Sequence, residues 1–176
     1  MEYDIEAWVK VAAFSGAALS MGLGAIGAAI GEGYAAGQAN EATSRSPMHS
    51  GDIFKMMLVG QAVAESAAIF ALVVGVLLLF TDYSAAPLIS SAALLAAGLC
   101  MGFGAIGSGM GSGFPAGAAC AGISRQPAMQ GRLTTNMLIG SAVSQTPAIF
   151  AMVVAFILMF IDLSAPPLNP TFSALL

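Results

Sequence analysis

A single carboxylic acid, Glu65, stands near the middle of an apolar run over residues 53–80, whose other charge, Lys55, lies close to its start. A carboxylate at that depth of a bilayer costs roughly 2.5–3.5 kcal/mol on insertion scales, so such a residue faces a site rather than lipid. Gln61, Ser66 and the backbone carbonyl of Val63 are its sequence neighbours. Carboxylate, hydroxyl, amide and carbonyl oxygens together suit a dehydrated Na⁺, a hard cation, better than a bare proton requires. Gln61, one helical turn before Glu65 on the same face, fits either a ligand or a polar contact between helices. The other acid within a span is Glu32, in Ile30-Gly31-Glu32-Gly33. If the chain reverses midway through residues 46–51, antiparallel helices of equal rise bring residue 32 level with residue 65. Two carboxyls that close cannot both be ionised in a low dielectric, so they share one proton or one cation. The competing reading of Glu32 is a side chain that snorkels to the headgroups, because its segment continues past it.

The same run recurs 80 positions later without gaps, with Gln145 in place of Glu65. Gly24-Ala25-Ile26-Gly27 returns as Gly104-Ala105-Ile106-Gly107, and Ala68-Ile69-Phe70-Ala71 as Ala148-Ile149-Phe150-Ala151. Ser44-Arg45 and Pro47 return as Ser124-Arg125 and Pro127. Asp82, Ser84, Ala85, Pro87 and Leu88 return as Asp162, Ser164, Ala165, Pro167 and Leu168. In the second copy the site positions read Ser112, Ser141, Val143, Gln145 and Thr146. Gln145 hydrogen-bonds but carries no charge, so this half donates ligands and does not bind a transported ion alone. Pro147 removes a backbone donor at the same depth, which frees a carbonyl or kinks the helix.

These residues need long helices to hold them. The chain of 176 residues is 58% hydrophobic and 8% charged, against about 25% charged in a soluble domain. Apolar segments cover residues 9–38, 53–80, 87–121 and 133–161, each near or above the roughly 20 residues of a spanning helix. The expectation is an all-α membrane protein of four transmembrane helices, built as two tandem parallel-repeat helical hairpins. Residues 1–83 form the first, ion-carrying hairpin and residues 84–176 the second, which lacks the carboxylate. The acidic start of the chain (Glu2, Asp4, Glu6) has no basic n-region, so no signal peptide is expected. Five Lys and Arg residues make no basic patch, which excludes nucleic acid as a partner. Cys100 and Cys120 read as packing residues.

Four of the basic residues (Arg45, Lys55, Arg125, Arg132) belong to the loops inside the hairpins, and residues 81–90 carry none. The loops are therefore expected in the cytoplasm and both termini outside, with Lys10 a weak counter-signal. Glycine crowds the first and third segments, more densely than one small-residue helix contact needs. That density points to helices hemmed in by like helices on the inner wall of a narrow ring, with the bulkier second and fourth segments outside.

The glycine-rich first helix, the polar loops Arg45-Ser46-Pro47 and Arg125-Gln126-Pro127, and the mid-helix acid of the second helix together resemble the proteolipid, or c-type, component of rotary ATP synthases. The likeness covers nearly the whole chain, twice. Duplication with one carboxylate lost is similar to V-type proteolipids and to the duplicated proteolipid of bacterial F/V-hybrid rotors. Glu65-Ser66 resembles the sodium-binding branch, and Glu32 its two-carboxylate variant; the chain departs from that branch with Ala67 where Thr is common and Phe70 where Tyr is. The resemblance implies a non-catalytic rotor-ring component in a bacterial plasma (inner) membrane. It would carry Na⁺, alternatively H⁺, on Glu65 and so couple ion flow to ATP synthesis or hydrolysis. Its implied partners are other c subunits of the ring, a stator a subunit whose arginine separates the ion half-channels, central-stalk subunits at the polar loops, and membrane lipid. Two rivals are a small ion-coupled secondary transporter, disfavoured by the parallel repeat, and a structural membrane scaffold.

Overall fold

The computed structural model describes residues 4–161. Four helices follow one another: α1 (Ile5–Arg45), α2 (Ser50–Phe80), α3 (Ser90–Arg125) and α4 (Gln130–Phe160). All four are long and apolar enough to cross a membrane. The Asp4 carboxylate caps α1 by accepting from the Ala7 N–H at 3.3 Å, and Glu6 and Arg45 at opposite ends complement the helix dipole. At about 1.5 Å per residue, α1 is about 60 Å long, twice the hydrocarbon thickness.

The two hairpin turns repeat each other. Ser46 N–H closes on the Ala42 carbonyl at 3.0 Å, then Pro47–His49 forms one turn of 3₁₀ helix before α2. Gln126 N–H closes on Gly122 at 2.9 Å, and Pro127–Met129 leads into α4. Proline suits this first position because its missing N–H would have no helical partner there. Hydropathy ends the first segment at Gln38, yet α1 continues to Arg45, and α4 begins at Gln130 rather than Leu133. The added turns are polar and helical, held by bonds such as Arg45 to Glu41. In contrast, α3 starts at Ser90 rather than Pro87, because turns from Tyr83 to Ala86 and from Pro87 to Ser90 take up the intervening backbone. The repeated residues Asp162, Ser164, Ala165, Pro167 and Leu168 lie outside the described residues, as does Glu2.

Helices α1 and α3 run parallel and lie against each other along most of their length, while α2 and α4 touch each other little. Glycine makes the close approach possible. A Cβ added at Gly27 would sit 2.5 Å from Ile106 Cα, and one at Gly109 would sit 2.6 Å from the Gly27 carbonyl carbon. Both positions therefore exclude any larger residue without moving a helix. Tyr34 and Phe114, equivalent in the repeat, meet at the same level with ring centroids 4.8 Å apart. By contrast Gly22, Gly33, Gly37 and Gly107 face open space. Exposed Leu, Val, Ile and Phe side chains cover α2 and α4.

The core has two clusters. One gathers Val9, Val74, Leu78, Leu94 and Met101 near the ends of the hairpins away from the polar loops. The other gathers Ile53, Met56, Cys120, Ile123 and Met137 near those loops. The site residues lie in the polar band between them.

Candidate functional site

The two copies make the same cross-helix hydrogen bonds. Ser20 Oγ donates to the Ala71 carbonyl at 2.8 Å, and its counterpart Cys100 Sγ to the Ala151 carbonyl at 3.8 Å. Gln61 Nε2 donates to the Glu32 carbonyl at 3.3 Å, and its counterpart Ser141 Oγ to the Ser112 carbonyl at 3.3 Å. The second pair fixes the register of each hairpin at the depth of the site. It sets Glu32 beside Gln61, one helical turn before Glu65. Gln61 therefore spends its amide N–H on the backbone of α1. Glu65 is exposed on the flank of α2, and Glu32 is half-buried.

Where the hairpins meet inside the chain, the geometry is different and closed. Gln145 is 8% exposed. Its Nε2 donates to the Val63 carbonyl at 2.8 Å and to Ser112 Oγ at 2.7 Å. Ser112 Oγ donates in turn to the Ser108 carbonyl at 2.8 Å, and Ser66 Oγ donates to the Val63 carbonyl at 2.6 Å. Four of the named residues thus converge: Val63 and Ser66 from the first hairpin, Ser112 and Gln145 from the second. The amide nitrogen sits among oxygen atoms with its two hydrogens pointing at them. Gln145 Oε1 is buried and has no hydrogen-bond partner.

The remaining residues do not join this cluster. Glu65, Glu32 and Gln61 belong to the first hairpin's free flank. The Val143 side chain is 69% exposed, and Thr146 is half-buried on α4. Within one chain the oxygen atoms therefore form two sets, one closed by Gln145 and one left open. Among the described residues no group of three or more His, Cys, Asp or Glu is arranged to hold a metal ion. The polar loops place Arg45, Pro47, Arg125 and Gln126 at one end of the molecule, with Pro127 beside them. Among the described residues both cysteines are free.

Ser108 also belongs to the site, although its residue type alone does not mark it. Its Oγ accepts the Ala148 N–H at 2.9 Å, the amide that follows Pro147. A signal for it existed: Ser108 and Pro147 replace Ala28 and Ala67 of the first copy, so both are departures from the repeat. They meet in space.

The family model for the ATP synthase c subunit matches twice, over residues 15–78 and 95–158. The ATP synthase c subunit of Natranaerobius thermophilus is 48% identical over 79 residues, covering 45% of this chain and 91% of the relative. A second-numbered ATP synthase c subunit of Cereibacter sphaeroides is 42% identical over 74 residues, 42% of this chain and 89% of the relative. The ATP synthase c subunit of Thermotoga petrophila is 45% identical over 67 residues, 38% and 79% respectively. Each relative accounts for less than half of this chain and most of itself, as the internal repeat requires. The chain belongs to the family of ATP synthase c subunits, as a tandem duplicate of their helical hairpin and a non-catalytic, membrane-spanning component of the rotor ring.

Proposed function

We propose that Glu65 carries a transported cation, Na⁺ in preference to H⁺, at a site completed by the next copy of the chain in the ring. The observation that carries this reading is the closed joint inside the chain. There Ser112 and Gln145 of the second hairpin face the Val63 carbonyl and Ser66 of the first. Moving on by one hairpin, the same kind of joint would set Glu32 and Glu65 of one chain opposite the Val143 carbonyl and Thr146 of its neighbour. At the closed joint an amide N–H₂ satisfies the oxygens; at the open one a cation does so. Gln61 borders the site and positions Glu32 through its backbone carbonyl. Two carboxylates and one Na⁺ would leave a net negative site, so one carboxyl keeps a proton when Na⁺ is bound.

The transport step follows from electrostatics. A neutralised Glu65 can pass lipid as the ring turns, whereas a bare carboxylate is repelled by the low dielectric. At the stator the ion leaves and another enters. The stalk meets the loops at Arg45, Pro47, Arg125, Gln126 and Pro127. Ion flow then couples to ATP synthesis or hydrolysis elsewhere in the complex. The basic loops support a cytoplasmic position for these turns in a bacterial plasma membrane. Residues 1–83 act as the ion-carrying unit and residues 84–176 as the unit that completes a neighbour's site.

A hydrophobic carbodiimide modifies a protonated carboxyl that can be reached from lipid. Glu65 in purified rings should label faster at low pH, and Na⁺ should slow the labelling at fixed pH and ionic strength. K⁺ should protect poorly. Glu32→Gln should retain the protection, because an amide oxygen can stand in for the protonated acid. Labelling that follows pH and ignores millimolar Na⁺ would make this a proton rotor.

A further inference from the structure

Val63 and Val143 are the same position in the two copies, yet their carbonyls have opposite surroundings. The Val63 carbonyl accepts from Ser66 Oγ at 2.6 Å and from Gln145 Nε2 at 2.8 Å. Its helical donor is the N–H of Ala67. At Val143 the helical donor would be residue 147, which is proline and has no N–H. The next amide along, Ala148, is turned to Ser108 Oγ at 2.9 Å. One residue removes the donor and another diverts its nearest substitute. The Val143 side chain lies on the exposed flank of α4, away from the closed joint. Helix α4 nevertheless continues unbroken through Pro147 to Phe160, so the disturbance is local.

We propose that Pro147 is a specificity-determining positioning residue: by leaving the Val143 carbonyl without its helical donor, it supplies an unshared oxygen ligand that favours Na⁺ over H⁺ at the neighbouring copy's Glu65. The inference rests on the proposed site between copies. Its physical basis is competition for lone pairs. A carbonyl engaged in a helical hydrogen bond has part of its electron density committed, and a cation must share it. An uncommitted carbonyl offers its full dipole to Na⁺, which needs several oxygens. A proton is held by one carboxylate and uses at most one further acceptor, so it gains less from the extra carbonyl than Na⁺ does. Pro147 acts through the Val143 carbonyl and does not touch the ion. Ser108 supports the arrangement by satisfying the Ala148 amide, which keeps the proline tolerable in a membrane helix.

The sequence permits a direct observation of this carbonyl. Val143-Ser144 is the one Val-Ser pair in the chain. Labelling valine carbonyls with ¹³C and serine amides with ¹⁵N therefore selects Val143 alone in solid-state NMR of assembled rings. Its carbonyl resonance should move on addition of Na⁺ and stay still with K⁺. Pro147→Ala restores the N–H donor. In that variant Na⁺ protection of Glu65 against carbodiimide should require roughly tenfold more Na⁺, about the value of one ligand-strength hydrogen bond. The pH dependence of labelling without Na⁺ should change much less than the Na⁺ protection does. Pro147→Gly should behave alike if the alanine variant does not assemble. Unaltered Na⁺ protection in these variants, with a static Val143 resonance in the parent ring, would overturn the proposal. Thr146→Val separates this from the underlying reading. If Thr146→Val weakens protection while Pro147→Ala does not, the site between copies stands and the role of Pro147 falls. If neither changes it, or Na⁺ never protects, the site between copies is wrong and the inference falls with it.

Discussion

Glu65 and Gln145 occupy one position in two copies and differ by an oxygen for a nitrogen. Gln145 donates two hydrogen bonds, one to the Val63 carbonyl and one to Ser112 Oγ. Glu65→Gln should abolish ion-coupled ATP synthesis while rings still assemble, because an amide satisfies the same oxygens without charge. Coupled synthesis at the parent rate by rings of this variant would refute the assignment. The converse change, Gln145→Glu, turns donors into acceptors and sets a carboxylate against the Val63 carbonyl and Ser112 Oγ. It should lower ring stability by about 1–3 kcal/mol, the cost of leaving buried polar groups unpaired. Na⁺ or low pH should restore the loss, and thermal disassembly with and without Na⁺ measures it. The place of Glu65 in a long apolar helix was legible from the hydropathy, and the loss of charge at residue 145 from the offset of 80. That the Gln145 amide reaches the Val63 carbonyl was not legible, since it depends on which face of α4 meets α2. Ser108 escaped because a serine among glycines and alanines looks like any small packing residue.

The glycines of α1 and α3 divide by what they face. Gly27 and Gly109 meet backbone of the opposite helix, whereas Gly33 and Gly37 meet nothing within one chain. Gly27→Val should separate α1 from α3 and cost about 1–3 kcal/mol or more through overpacking. Gly33→Val should leave the single chain folded and act on assembly, since Gly33 faces open space within one chain. Native mass spectrometry of both variants separates the effects. A Gly33→Val ring as resistant to heat as the parent would show that this flank carries no close packing. The helices themselves were plain in the hydropathy, but their ends were not. Hydropathy reports immersion in lipid, while backbone hydrogen bonding carried α1 on to Arg45 through polar residues. At Pro87 local turns did the reverse and delayed α3 to Ser90.

For the whole molecule the parallel repeat fixes a common orientation for both hairpins, so both polar turns share one side. Single cysteines at Ser46 and Gln126 should both be modified by an impermeant reagent from the cytoplasmic side and from no other. Labelling from outside would invert the topology and remove the stalk from these loops. The number of carriers also belongs to this scale. Rings of this chain alone should bind one Na⁺ for every four helices, which isotope binding on rings of known mass can count.

With Glu65 as the proposed carrier, the Gln145 joint also sets how such a rotor is geared. A wheel built of this chain alone has every second tooth filed away, so each ion moves it through the arc of two hairpins. A full turn then spends half as many ions as a wheel with an acid on every hairpin. At 100 mV an ion brings about 2.3 kcal/mol, so the longer stride delivers half the work per revolution. Synthesis of ATP on such gearing demands a steeper gradient. Run backwards, the same gearing lets each ATP push fewer ions against a higher one.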